Sequence, residues 1–459
     1  MAGNPLLLSP EMLRNDDLLT DEDFSGFPCM PAMIDYGKVI HEKAGLLRIA
    51  WERFKARSSA EDLAAVDAFS EKAAYWIDDF CLFMALKNRY GGKPWVEWDR
   101  SLARPGRGII RRLKRDLAPE IEYQRFLQFE FRRQIEKLRY YANQRNIKLV
   151  GDLPIYVAHD SAEVWARPEY FQLDGKTGKP VTVSGVPPDY FSATGQLWGN
   201  PIYDWKRLER ENFRWWKRRF KTILDYVDAV RIDHFRGFES YWTVPFGEAT
   251  AINGKWVEAP GEKLFMSLYE TFGTLPVIAE DLGIITPEVE ALRDAFDLPG
   301  MKILQFAFGS GRDNPYLPHN FSSNCVVYTG THDNDTTAGW YRTIGPAEQE
   351  EVRAYIEEYL GSSGSEGIHW DMIKLAYYSP ARMAIVPLQD ILGLDSDARM
   401  NVPSRSWGNW VWRYSAESLT DQLKEALATL TTDTGRIISE GTGSIPSGGY
   451  AVEQGSASA

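Results

Sequence analysis

Asp233, Glu280 and Asp333 each close a short apolar run: Asp233 follows "DAVRI", Glu280 follows "PVIA" and Asp333 follows "CVVYTGTH". One acid in such a place is ordinarily a turn or helix-cap residue. Three form a pattern, because parallel α/β folds open the carboxyl ends of their strands onto one face. Carboxylates gathered there suit chemistry at a glycosidic bond. One ionised acid attacks the anomeric carbon, a second protonates the departing oxygen, and a third group binds sugar hydroxyls as the ring flattens toward an oxocarbenium ion. Arg231, two residues before Asp233, lies on the same side of its strand and would keep the nucleophile ionised. The acid must hold its proton near neutral pH, which desolvation or a neighbouring carboxylate provides. His234 and His332 stand beside Asp233 and Asp333. His332 reads as a sugar contact, whereas His234 reads equally well as a residue satisfying a backbone carbonyl. No His and carboxylate pair has helical ligand spacing such as HExxH, so no metal is expected.

The elements that would carry these residues alternate. Short apolar runs at Ile147–Val150, Tyr226–Ile232, Leu275–Ala279, Met301–Phe308, Cys325–Tyr328 and Met383–Leu388 are separated by helical patterns such as "GEKLFMSLYETFG". Fully apolar runs mark parallel strands covered on both faces, and six of them fit either a doubly wound sheet or a barrel. The region before residue 147 reads as helical, with candidates from Asp35 and Ser59 and a long helix from Pro119 to Asn146 whose stripe is Leu127, Phe131, Ile135, Leu138 and Ala142. The expected organisation is helical over 1–146 and a barrel or sheet over 147–430 with a loop insertion at 158–205. A Gly, Ser and Thr-rich tail over 431–459 has too little to bury and is expected to be disordered.

Composition narrows the partners. With 52 Lys and Arg against 64 Asp and Glu, the net charge of −12 disfavours nucleic acid and anionic membrane. Three cysteines without metal-type spacing suggest a reducing cytoplasm. The start "MAGNPLLLSPEML" has no basic stretch of the kind that opens a secretory signal. Aromatic residues make up 13% of the chain, with 16 Trp; most should be core, although indole faces also stack on sugars.

Five segments then carry a specific resemblance: "GDLPIYVAHDSAEVWARPEYFQLD" from Gly151, "GVPPDYFSATGQLWGNPIYDW" from Gly185, "VRIDHFRGF", "IAEDLG" and "YTGTHDNDTTAGWY". Together they resemble the amylomaltase or disproportionating-enzyme family, glycoside hydrolase family 77 of the α-amylase clan, from Ala2 to about the last helix. The resemblance implies a (β/α)8 TIM-type barrel with helical insertions and a retaining double displacement on 1,4-α-glucans, without a cofactor. By the matching motifs, Asp233 would be the nucleophile, Glu280 the general acid/base and Asp333 the transition-state stabiliser. Arg231 and His332 would flank the sugar on the donor side of the cleaved bond. Asp189, Tyr190 and Trp198 would sit on a loop over the acceptor side, with Asp152 and Asp160 near the site. The partners implied are maltooligosaccharides or α-glucans derived from starch or glycogen.

Two departures qualify the resemblance. In "NVPSRSWGNWVWR", Ser404 stands where Gly is more usual, so the loop geometry there is open. Family members also begin with two strands carrying "HPTSLP"-like and "WQxLPLxP"-like motifs that this sequence does not contain. The expectation is therefore a barrel lacking its first two strands. An α-glucan hydrolase of the same clan and a non-catalytic glucan-binding remnant are the alternatives.

Overall fold

A computed structural model describes residues 1–25, 33–188, 192–361 and 366–437. By its internal contacts the chain forms two compact units, Met1–Pro28 with Gly37–Leu275, and Cys29–Tyr36 with Pro276–Ala459.

The first unit opens with helices. Ala60–Lys72 starts at Ser59, whose hydroxyl accepts from the Asp62 N–H while Asp62 accepts from the Ser59 N–H. This reciprocal cap fits the sequence expectation. The segment read as one helix from Ser59 is two, however, because the chain turns after Lys72 and restarts as Ile77–Arg89. The long helix runs Ala118–Asn143 with its buried side displaced from the apolar stripe: Leu138 is exposed, and Gln128, Glu130 and Gln134 are buried. Those polar residues go inside because the N-terminal segment lies across them. Gln128 exchanges hydrogen bonds with the Gly3 N–H and carbonyl at 2.8 and 2.9 Å, and Gln134 accepts from the Ser9 N–H at 2.8 Å. A buried amide satisfied in this way avoids a desolvation cost of about 1–3 kcal/mol.

Six strands follow in this unit: β1 (Val150–Leu153), β2 (Thr182–Val186), β3 (Gln196–Pro201), β4 (Ala229–Ile232), β5 (Ser240–Pro245) and β6 (Lys255–Glu258). β1 and β4 are parallel neighbours, as their apolar runs predicted. The other four form an antiparallel sheet in the order β3-β2-β5-β6. Two of its strands lie inside the stretch expected to be loop. "QLWGNP" and "TVSGV" carry Gly, Asn and Pro, which hide a strand from propensity. The aromatic richness is largely core here: Tyr203, Trp216, Phe220, Phe235, Phe238 and Phe265 are all fully buried.

The second unit contains β7 (Val277–Ala279), β8 (Gly300–Ile303), β9 (Cys325–Tyr328) and β10 (Met383–Ile385). β8, β9 and β10 are parallel with β9 central, and β7 bonds beside β8 through the Ala279 N–H to the Pro299 carbonyl at 2.9 Å. One face of these strands packs Ile278, Met301, Ile303, Val326 and Tyr328 together. The other packs Cys325 and Val327 against Val352, Ile356, Met372 and Leu375 of two helices. Burial on both faces explains why these runs are apolar throughout. Five of the six runs singled out in the sequence share three or more residues with a strand, whereas Ile147–Val150 meets β1 only at Val150. The last helix extends to Asp433, past the 431 boundary, and Arg436 donates to the carbonyls of Tyr377, Ser379 and Ala381. The rest of the expected tail lies outside the described residues. Among those residues no helix is long and apolar enough to cross a membrane.

Candidate active site

In the first unit the site is built by strand register. Asp152 on β1 is paired with Arg231 on β4, and the Asp233 N–H continues the ladder to the Leu153 carbonyl at 3.1 Å. Paired residues, and residues two apart, share a face. Asp152, Arg231 and Asp233 therefore stand together. The Arg231 guanidinium forks between them, Nη1 to Asp152 Oδ1 at 2.7 Å and Nη2 to Asp233 Oδ1 at 2.9 Å. Its side chain is 13% exposed, against 49% for Asp152 and 43% for Asp233. A nearly buried cation thus fixes the angle of an open carboxylate, the arrangement a nucleophile needs. Asp152, which the family resemblance puts near the site, is the second partner of this fork.

Beyond Asp233 the chain turns sharply at His234, whose φ is +52°. Gly237 makes the turn possible, since a Cβ there would come within 2.7 Å of Ile155 and 3.0 Å of the His234 ring. The His234 ring meets Trp198 edge to face at 4.7 Å. Burial presses its pKa down to about 4, against the pull of the Asp233 charge, so the ring is neutral at ordinary pH. Trp198 is thereby placed beside the Asp233 turn, with its indole N–H on Gln196 at 3.2 Å. Asp160 does not join this group through any of these contacts. It holds Lys87 at 2.7 Å and accepts from the Trp95 N–H at 3.1 Å, which is what a structural tether does. Asp189 and Tyr190 lie outside the described residues.

In the second unit two adjacent acids at the end of β7 part company. Asp281 is buried, paired with Arg293, and accepts from the Met301 N–H at 2.7 Å. Burial raises its pKa. Gly300 leaves it room, as a Cβ there would sit 2.3 Å from Asp281 Oδ2. Glu280, one residue earlier, is half-buried and accepts from the Leu282 N–H at 3.2 Å. Successive residues at a strand end point to opposite faces, so anchoring Asp281 sets the direction of Glu280.

His332 and Asp333 follow β9, with Nε2 of the imidazole 3.4 Å from Asp333 Oδ2. Asn401 donates to Asp333 Oδ1 at 2.6 Å, and its N–H bonds the His332 carbonyl at 3.0 Å. Arg399 donates to the Asp333 carbonyl at 2.6 Å. The His332 ring lies 5.2 Å from Trp410, which is 47% exposed. Sequence reasoning noticed the segment from Asn401 but not that Asn401 orients Asp333. Ser404 adopts φ +66°, the left-handed region, which gives the physical reason Gly is usual there. Among the described residues no group of three or more His, Cys, Asp or Glu is arranged to hold a metal.

Residues 1–420 match the family described as 4-alpha-glucanotransferase. The chain belongs to that family. It is 49% identical to a 4-alpha-glucanotransferase of Synechocystis over 95% of this chain and 86% of that protein. It is 50% identical to one of Thermus thermophilus over 90% of this chain and 82% of that protein. Among solved structures it superposes on the amylomaltase of Streptococcus agalactiae in complex with acarbose, with a TM-score of 0.90 and 35% identity, covering 95% of this chain and 87% of the other. The fold class is thus α/β of the TIM-barrel type with helical insertions.

Proposed function

We propose that this chain moves a 1,4-linked α-glucan segment from a donor to the 4-hydroxyl of an acceptor glucan or glucose, with Asp233, Glu280 and Asp333 as its acids. The Asp233 carboxylate attacks the anomeric carbon while Glu280 gives its proton to the departing glycosidic oxygen, leaving a glycosyl ester and a shortened glucan. Glu280, now ionised, takes the proton of the acceptor hydroxyl as that oxygen attacks the same carbon, and Asp233 departs. Two inversions give net retention. Asp333, with His332 beside it, binds the sugar as it flattens. Trp198, Asp189 and Tyr190 would meet the acceptor, and Asp160 would act through its tether.

The observation that carries the residue assignment is the Arg231 fork, which fixes the direction of the Asp233 carboxylate at the end of β4. A neutral polyhydroxylated substrate fits a protein of net charge −12, which would repel nucleic acid and anionic membranes. Two buried free thiols, Cys81 and Cys325, support a cytoplasmic location.

Maltotriose tests the reading. Purified protein should give glucose together with oligosaccharides longer than maltotriose. A product mixture of glucose and maltose alone would assign hydrolysis instead. Asp233→Asn should lower turnover by on the order of 10⁴-fold or more, and equal turnover by variant and parent would remove Asp233 from the mechanism.

A further inference from the structure

The loop Gly330–Thr336 carries His332 and Asp333, and both of its ends close on one buried side chain. Asp390 lies in the short helix Leu388–Ile391 after β10 and is 1% exposed. Its Oδ2 accepts from the hydroxyl of Thr329 and, at 2.8 Å, from that of Thr337. Its Oδ1 accepts from the Thr337 N–H at 2.7 Å. Thr329 directly precedes the loop and Thr337 directly follows it, and both are fully buried. A single carboxylate therefore pins the base of the loop and offsets part of the entropy lost in holding its ends together.

The interior of the loop is tied down in the same direction. Gln305 donates to the Asp335 carbonyl at 2.9 Å, and its amide occupies the space that a Cβ on Gly330 would enter, 2.7 Å away. The Ser396 hydroxyl reaches Asp335 Oδ2 at 2.8 Å. These bonds restrain the crown, and Asp390 hydrogen-bonds the residues at both of its ends.

We propose that Asp390 is a positioning residue for glucan transfer: by joining Thr329 to Thr337 it fixes the place of Asp333 and His332. The inference rests on the role given to Asp333 above. Misplacing a group by about 1 Å costs on the order of 10²-fold in rate, so the precision with which the base of the loop is held bears directly on turnover.

Chemistry supplies a discriminating variant. In Asp390→Asn the amide oxygen still accepts from the Thr337 N–H, and the amide NH2 donates to two hydroxyls that turn to accept. Asn should hold the pin; Ala cannot. Steady-state transfer from maltotriose is measured for Asp390→Ala, Asp390→Asn, the double variant Thr329→Val/Thr337→Val and Asp333→Asn, at a temperature where circular dichroism shows each folded. Asp390→Ala should lose roughly 10²-fold in kcat with KM within about 3-fold, whereas Asp390→Asn keeps kcat within about 5-fold of the parent. If Asp390→Ala does not fold, the double variant carries the test and should lose about 10-fold or more in kcat. A folded Asp390→Ala or double variant with parental kcat, beside an inactive Asp333→Asn, overturns the positioning role and leaves that of Asp333. Equal damage from Asn and Ala also overturns it. Parental activity in Asp333→Asn overturns the role of Asp333 itself.

Discussion

In the proposed reaction Glu280 and Asp233 ask opposite things of the same functional group, one a retained proton and the other a negative charge. A pair used in that way gives a rate that rises and falls with pH, with limbs belonging to the two acids jointly. Glu280→Gln should lose the alkaline limb and most activity with maltooligosaccharides, yet spare the first step for a glycosyl fluoride donor, whose leaving group needs no proton. Equal loss with both donors would make Glu280 structural. His234 makes a second prediction. Its pKa is about 4 in the fold against an ordinary 6.5, so between those values the unfolded chain binds a proton that the folded one refuses. The stability it contributes is complete above about pH 6.5 and drains away as pH falls toward 4. A plot of Tm against pH should be shallower over that window for His234→Gln than for the parent; parallel plots would show that the ring does not titrate as its burial requires.

Elements place these residues through register and turns. Asp152 and Arg231 meet because β1 and β4 pair in parallel with those two residues opposite. Past β9, placement falls to loops, and there backbone conformation decides. Ser404 holds φ +66° in the segment that also carries Asn401. A side chain in that region costs about 1–2 kcal/mol, partly offset by the entropy a glycine loses, about 0.5–1 kcal/mol. Ser404→Gly should therefore raise stability by up to about 1.5 kcal/mol, read as a higher midpoint in urea with an unchanged slope. A lower midpoint would mean the Ser404 side chain is held by something that outweighs its backbone strain.

At the scale of the whole molecule, a net charge of −12 meets an uncharged substrate. Steering by the protein field needs charge on both partners, so kcat/KM for maltotriose should change by less than about 2-fold between roughly 0.02 and 0.5 M salt. A steep dependence would point to a charged partner in turnover. The same scale separates what could be read in advance. The runs that became β4, β7, β8 and β9 were legible because strands covered on both faces are apolar for most of their length, and the acids after three of them were legible because charge ends such runs. The antiparallel sheet was not, since β2 and β3 are built on Gly, Asn and Pro and draw stability from neighbours far along the chain. Nor was the buried side of Ala118–Asn143, because Gln128 and Gln134 are inside only by virtue of the backbone that crosses them. The sequence alone determined the family and most of the parallel-type strands and singled out the candidate acids, all of which are local patterns. Tertiary structure decided which distant groups meet: that Arg231 also reaches Asp152, that Asn401 orients Asp333, that Asp160 serves Lys87, and that Asp390 joins Thr329 to Thr337. Hydrogen-bond partners separated by tens of residues share no period or spacing, so only the folded chain assigns them.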